Sequence, residues 1–120
     1  MEQKYIVGDI FMVDNQPRKV TWIGASFPRV EIDGVDVACK NSDLKPIPLT
    51  PEILEKNGWK ENKGDYINDS YHLHLCGKYD EYSVYKVVND YNVVWLTCVR
   101  NVSDLQHFLF GLGLNSEMEV

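Results

Sequence analysis

The segment K-P-I-P-L-T-P-E-I-L-E-K-N-G-W, from Lys45 to Trp59, constrains the fold of this chain more than any other stretch. Three prolines, Pro46, Pro48 and Pro51, fall within six residues. Each pushes its predecessor toward extended geometry, so no helix starts before Thr50. Thr50 then offers its hydroxyl as an N-cap, and Pro51 suits the first helical position, where no N–H is needed. Asn57-Gly58 supplies the stop. The segment therefore reads as a hinge between a strand-rich unit, residues 1–50, and an α+β unit, residues 51–120, the two sharing one core.

In the first unit, short strand signals alternate with turns. Ile10–Val13 is apolar and follows Gly8-Asp9, Asn15-Gln16-Pro17 is turn chemistry, and Arg18–Ile23 alternates. Val30 and Ile32 flank Glu31, and Asp33-Gly34 is a hairpin turn signal before Val35–Cys39. Leu44, Ile47 and Leu49 make a fifth extended piece. Five short strands in so few residues predict a small antiparallel barrel of the SH3-like kind, since a lone small sheet must hide its edges.

The second unit opens with the short helix Pro51–Asn57, followed by Trp59 and a polar turn, Glu61-Asn62-Lys63-Gly64-Asp65. Tyr71–Cys76 alternates, Tyr82–Val88 follows a turn, and Tyr91–Val99 closes a three- or four-stranded antiparallel meander. The run N-V-V-W-L-T-C-V is apolar on both faces and predicts a central strand. Ser103 and Gln106 fit a capping box, and Leu105, Phe108, Leu109 and Leu112 then recur at helical spacing. This closing helix is expected to lie across the second sheet. Trp22, Trp59, Trp95, Leu105, Phe108 and Leu109 are the expected buried anchors.

Composition narrows the classes. No run approaches the roughly 18 apolar residues of a membrane span, and the N-terminus carries no apolar signal segment, so a cytoplasmic protein is expected. Cys39, Cys76 and Cys98 form no C-x-x-C pair and sit in apolar, strand-like segments, as buried free thiols do in a reducing compartment. The net charge is −6. Residues 51–120 hold eleven acidic against six basic side chains, and residues 1–50 seven against six. An acidic surface repels phosphate backbones, which disfavours general nucleic-acid binding.

The hinge, taken together with the closing V-x-x-L-Q-x-F-L-F-G-L, resembles a family of short uncharacterised proteins encoded in phages, prophages and integrated elements of gut-dwelling Bacteroidetes. Its members begin with a Gly-Asp or Gly-Asn strand and pass through a P-I-P-L-T-x-E-I-L hinge. They finish with a Tyr-Val-His-Gln-Leu-Gln-Asn helix and an acidic-apolar tail. Here the hinge and tail are kept, while Asn101, Ser103, Asp104 and His107 replace the family's Tyr, His, Gln and Asn. The resemblance implies a phage or mobile-element setting and carries no activity with it.

Three groups of residues offer chemistry. Tyr79, Tyr82, Tyr85 and Tyr91 crowd a segment that also holds Asp80 and Glu81, the make-up of a protein-binding patch with aromatic anchors and an acidic rim. Arg18, Lys19, Trp22, Phe27 and Arg29 are the one mildly basic aromatic surface, fit for a peptide or a short single strand of nucleic acid. His72, His74 and Cys76 share one strand face if the alternation holds, but lack a further ligand at motif spacing. No nucleophile elbow, P-loop or dinucleotide fingerprint occurs, and no cofactor is implied. The leading expectation is a small non-enzymatic binding protein of a phage or mobile element. It would act by protein–protein interaction, on a host or defence component if the setting holds. A nucleic-acid-binding accessory protein comes second and a metal-dependent enzyme third. A homo-oligomer built on one exposed sheet edge is compatible with each.

Overall fold

The structure, a computed structural model, describes residues 6–23, 27–78, 81–90 and 92–120, with the side chains of Asn41 and Lys78 excepted. The chain divides into two compact units. One comprises Met1–Pro48 and Val102–Met118, the other Leu49–Asn101 and Glu119–Val120. The architecture is α+β, with two antiparallel sheets and two helices.

The first unit holds β1 (Ile10–Val13), β2 (Gln16–Ile23), β3 (Pro28–Ile32) and β4 (Val35–Ala38), paired in chain order. Asp14-Asn15 and Asp33-Gly34 make the hairpin turns, each with two positive φ values, the geometry that matches strand twist. Phe11, Val13, Val20, Val30 and Leu44 form the core, with Ile23, Ile32 and Cys39 against it. The sheet is open, which corrects the barrel expectation. Closure would need the fifth extended piece to pair along β1, but it meets β1 only where Met12 and Lys45 exchange backbone hydrogen bonds of 2.9 and 3.0 Å. Pro46 and Pro48 follow at once and donate nothing to a ladder.

The closing helix, α2 (Val102–Gly111), belongs to this first unit, against the expectation that it lies across the second sheet. Val102, Leu105 and Leu109 are buried, Phe108 is half-buried, and Phe110 and Leu112 are exposed. The reason for the docking is polar as well as apolar. Gln106, buried, does not turn back to cap its own helix. Its Oε1 accepts from the Ile10 N–H at 2.9 Å, and its Nε2 donates to the Gly8 and Ser116 carbonyls at 2.9 and 3.1 Å. Ser103 lies inside the first turn, so the expected capping box is not made. Truncating Gln106 to alanine strands one donor and two acceptors, and is expected to cost about 1–3 kcal/mol in denaturant unfolding. Gln106→Glu, which buries a carboxylate against the Gly8 and Ser116 carbonyls, should cost at least as much at neutral pH.

The second unit begins with α1 (Pro51–Lys56). Thr50 Oγ1 accepts from the Ile53 N–H at 3.3 Å, as the sequence predicts. The helix ends in a Schellman motif: Gly58 N–H donates to Glu55 O at 3.1 Å and Trp59 N–H to Leu54 O at 3.0 Å. Gly58 has φ +88°, which favours glycine there. The motif turns Trp59 inward, where it is 2% exposed. Asn57 is held further by Glu119, whose N–H donates to its Oδ1 at 2.8 Å and whose carbonyl accepts from its Nδ2 at 2.7 Å.

Five strands then pair in chain order: β5 (Lys60–Asn62), β6 (Asp65–Asn68), β7 (Leu73–Lys78), β8 (Glu81–Asn89) and β9 (Asn92–Val99). The polar stretch around Lys63-Gly64, expected as a bare turn, is itself a hairpin, because both residues adopt positive φ. Tyr66, Leu75 and Val84 stand opposite one another and are buried, as are Leu73 and Val99. This is the inner face. The largest correction concerns β9, which lies at the edge of the sheet instead of its centre. In a meander each strand pairs with the next, so the last strand has one neighbour whatever its hydropathy. Among the described residues, no helix is long and apolar enough to cross a membrane.

Candidate interaction surface

Opposite the buried row, registers of β6 through β9 bring Ile67, His74, Tyr85 and Trp95 side by side on the outer face of the second sheet. Val93 pairs with Val87 on the same face. His74, Tyr85, Ile67 and Val87 are half-buried by their neighbours. Trp95 is 55% exposed and Val93 51%, so the row ends in an uncovered tryptophan and valine at the sheet edge. Val94 and Leu96 are also exposed, which leaves a continuous uncharged strand from Asn92 to Leu96 in water. Trp22 is likewise 49% exposed, so of the three tryptophans expected in the core only Trp59 is there.

Polar groups rim this row. Asp65, Cys76, Ser83 and Cys98 form the adjacent row, with Ser83 Oγ 3.7 Å from Cys98 Sγ. Cys98 is exposed and Cys39 and Cys76 are half-buried, so the thiols are free but less covered than their apolar surroundings imply. Burial pushes the Cys76 thiol up, and the charge and hydrogen bond of Asp65 push the same way. It therefore stays protonated at neutral pH and is a poor ligand or nucleophile. Glu81 Oε2 meets Arg100 Nε at 3.1 Å on the surface, where such a pair adds little stability.

Of the tyrosine cluster, the structure describes two members. Tyr82 and Tyr85 lie on opposite faces of β8. Tyr82 faces inward, edge-on to Tyr66 with ring centroids 6.3 Å apart. Its ring closes over Gly77, where a Cβ would sit 3.0 Å from Cε1, so a side chain there would press on the ring. Burial pushes the Tyr82 phenol up, with Glu52 adding to it. Of these two, Tyr85 belongs to the outer row. Tyr79, Asp80 and Tyr91 lie outside the described residues.

The basic aromatic set of the first unit is also divided. Trp22 stands opposite Arg29, whose guanidinium lies 5.6 Å from the ring centroid, a cation–π contact on the outer face. Lys19 is exposed, and Phe27 is exposed beyond the strand end. Arg18 instead pairs with buried Phe11 on the core side, and its Nε is buried without a hydrogen-bond partner among the described residues. Glu31 and Asp36 sit directly opposite each other beside Arg29, so the outer face carries both signs. His72 has φ +55° and lies in the turn before β7, so it does not continue the strand face of His74 and Cys76. Among the described residues, no group of three His, Cys, Asp or Glu side chains is placed to hold a metal.

The first unit buries a carboxyl group. Asp9, 2% exposed, accepts from the Ile6 N–H at 2.8 Å and meets His107 Nε2 at 2.5 Å, beside the Gln106 contacts. Desolvation raises its carboxyl above the ordinary value, with the Ile6 and His107 contacts opposing. A raised acid favours folding in its neutral form. That stability is fully present below the ordinary carboxylate range and is lost as pH rises through the raised value. Asp9→Asn is expected to gain on the parent as pH rises from about 3 to 6, because the amide has no charge to desolvate. Melting curves across that range check the sign.

The outer row was not legible as a surface in the sequence, because Trp95 sits in a run that reads as core. The available signal was topological: the run closes a meander. Comparison of the chain with protein-family models, curated proteins and solved structures found no match in any of the three.

Proposed function

We propose that this is a small non-enzymatic binding protein that acts by protein–protein interaction through the outer face of its second sheet. The observation that carries the reading is the row His74–Tyr85–Trp95 ending in exposed Trp95 and Val93. Tryptophan and tyrosine are the side chains that most often anchor interfaces, since each covers a large area at small entropic cost. An exposed uncharged strand on an acidic chain is costly to leave bare, which also favours a covered state. The hinge resemblance adds a setting, a phage or mobile element, and with it a host or defence component as target.

The test is quantitative capture of partners by the tagged protein from host cells, comparing the parent with Tyr85→Ala/Trp95→Ala and with Lys19→Ala/Trp22→Ala/Arg29→Ala. The reading expects the partner to be lost with the first variant and kept with the second. Loss only with the second, together with nucleic acid in the eluate and a steep salt dependence, would move the function to the first sheet.

A further inference from the structure

Strand β9 has a single hydrogen-bonded neighbour, β8, and among the described residues no strand lies along its other side. Edges left open in this way ordinarily carry lysine, proline or another charge that keeps copies apart. Asn92–Leu96 has none of these, and all five residues are exposed. The far end of the strand is already engaged, because the Arg100 carbonyl accepts from the Leu49 N–H at 3.3 Å. The open stretch is therefore the N-terminal half.

We propose that this half-strand is the seam of a homodimer, in which two copies join Asn92–Leu96 antiparallel about Val94. The proposal goes beyond the partner-binding reading, since it uses the backbone edge of β9 and joins the outer rows of two copies through Val93 and Trp95.

Self-complementary register favours a second copy on this edge. Centring on Val94 sets Val94 against Val94 of the second copy, Val93 against Trp95, and Asn92 against Leu96. Val93 and Trp95 share the outer face, through their pairing with Val87 and Tyr85, so outer side chains meet outer side chains. Shifting the register by one residue would set Trp95 against an inward-facing position. The pairing also stops at the register irregularity that separates Trp95 from Thr97 in the β8–β9 ladder, and so uses only regular strand. Val93–Trp95 is a β-branched–aromatic pair, a favourable cross-strand combination, and it occurs twice.

Charge limits where two copies can meet. The chain carries −6, most of it in residues 51–120, so copies repel wherever their acidic surfaces face. The N-V-V-W-L stretch is where two copies meet without burying a charge. Four apolar side chains per copy fall well short of the roughly 800 Å² per partner of a standard stable interface. The dimer is accordingly reversible and forms in the micromolar range. Once formed, it makes the outer row continuous, from His74 through Tyr85 and Trp95 to Val93 and Val87 of the second copy.

Sedimentation equilibrium on the full chain, from about 1 to 300 µM, reads the seam directly. The weight-average mass is expected to rise from 13.9 kDa toward twice that value. Val94→Lys should hold it at the monomer with an unchanged circular dichroism spectrum. In a Cys98→Ser background, Val94→Cys should give a disulfide-linked dimer on mild oxidation, while Val35→Cys, exposed on β4, should not. A parent that stays monomeric at the highest concentration, a dimer that survives Val94→Lys, or equal cross-linking at both positions overturns the seam. Val94 faces away from the outer row, so partner capture that persists in a monomeric Val94→Lys protein leaves the binding reading intact.

Discussion

Trp59→Ala is expected to lower the stability of the second unit by about 3–5 kcal/mol, a large share of the total for a domain of this size. The indole is 2% exposed, and the Schellman turn at Asn57-Gly58 fixes its entry into the core beside fully buried Leu54. Removing it leaves a cavity that a short helix tied at Thr50 and Asn57 cannot collapse to fill. Denaturant midpoints followed by circular dichroism measure the loss. The same truncation at Trp95 should cost under about 1 kcal/mol, since an exposed side chain leaves little cavity. Equal losses at the two positions would contradict the assignment of Trp59 to core and Trp95 to surface.

The second large effect is on binding. Trp95→Ala is expected to weaken partner binding by about 30-fold or more, some 2 kcal/mol, because the indole ends the outer aromatic row of the second sheet. Tyr85→Ala should add to it less than independently, since the two rings stand opposite each other and act as one anchor. The complex should tolerate salt, as its anchors Tyr85 and Trp95 act by aromatic contact. Tyr82→Ala separates this account from one based on the tyrosine cluster. Its ring is turned inward against Tyr66 and Gly77, so the variant should lose stability and keep affinity for the partner.

Local chemistry made much of the fold legible. The Thr50 cap, the Asn57-Gly58 stop and the Asp33-Gly34 hairpin all act within a few residues, and each lies where the sequence predicts. What failed depended on long-range pairing. Two prolines after Lys45 keep the fifth extended piece from closing the first sheet. Gln106 has two uses, a cap three residues away or a bridge to Gly8 and Ile10 almost a hundred residues earlier, and helical spacing cannot choose between them. His72 drops out of the His-x-His face because its backbone takes a left-handed turn that alternation does not reveal.

The candidate surface was the least legible part, for a related reason. Hydropathy reports how much a side chain prefers to leave water, not whether a neighbouring element exists to cover it. Val93, Val94, Trp95 and Leu96 read as core on that measure and become surface only because β9 is last in its meander. An apolar strand at an edge is what an interaction surface requires, so the failed expectation and the functional reading come from the same residues.

Hydrogen exchange on the protein with and without its captured partner tests the account most directly. The account predicts slowed exchange across β8 and β9, centred on Tyr85 and Val93–Leu96, with β2 and β3 unchanged. Protection confined to β2 and β3 around Lys19, Trp22 and Arg29, with β9 exchanging as in the free protein, would contradict it.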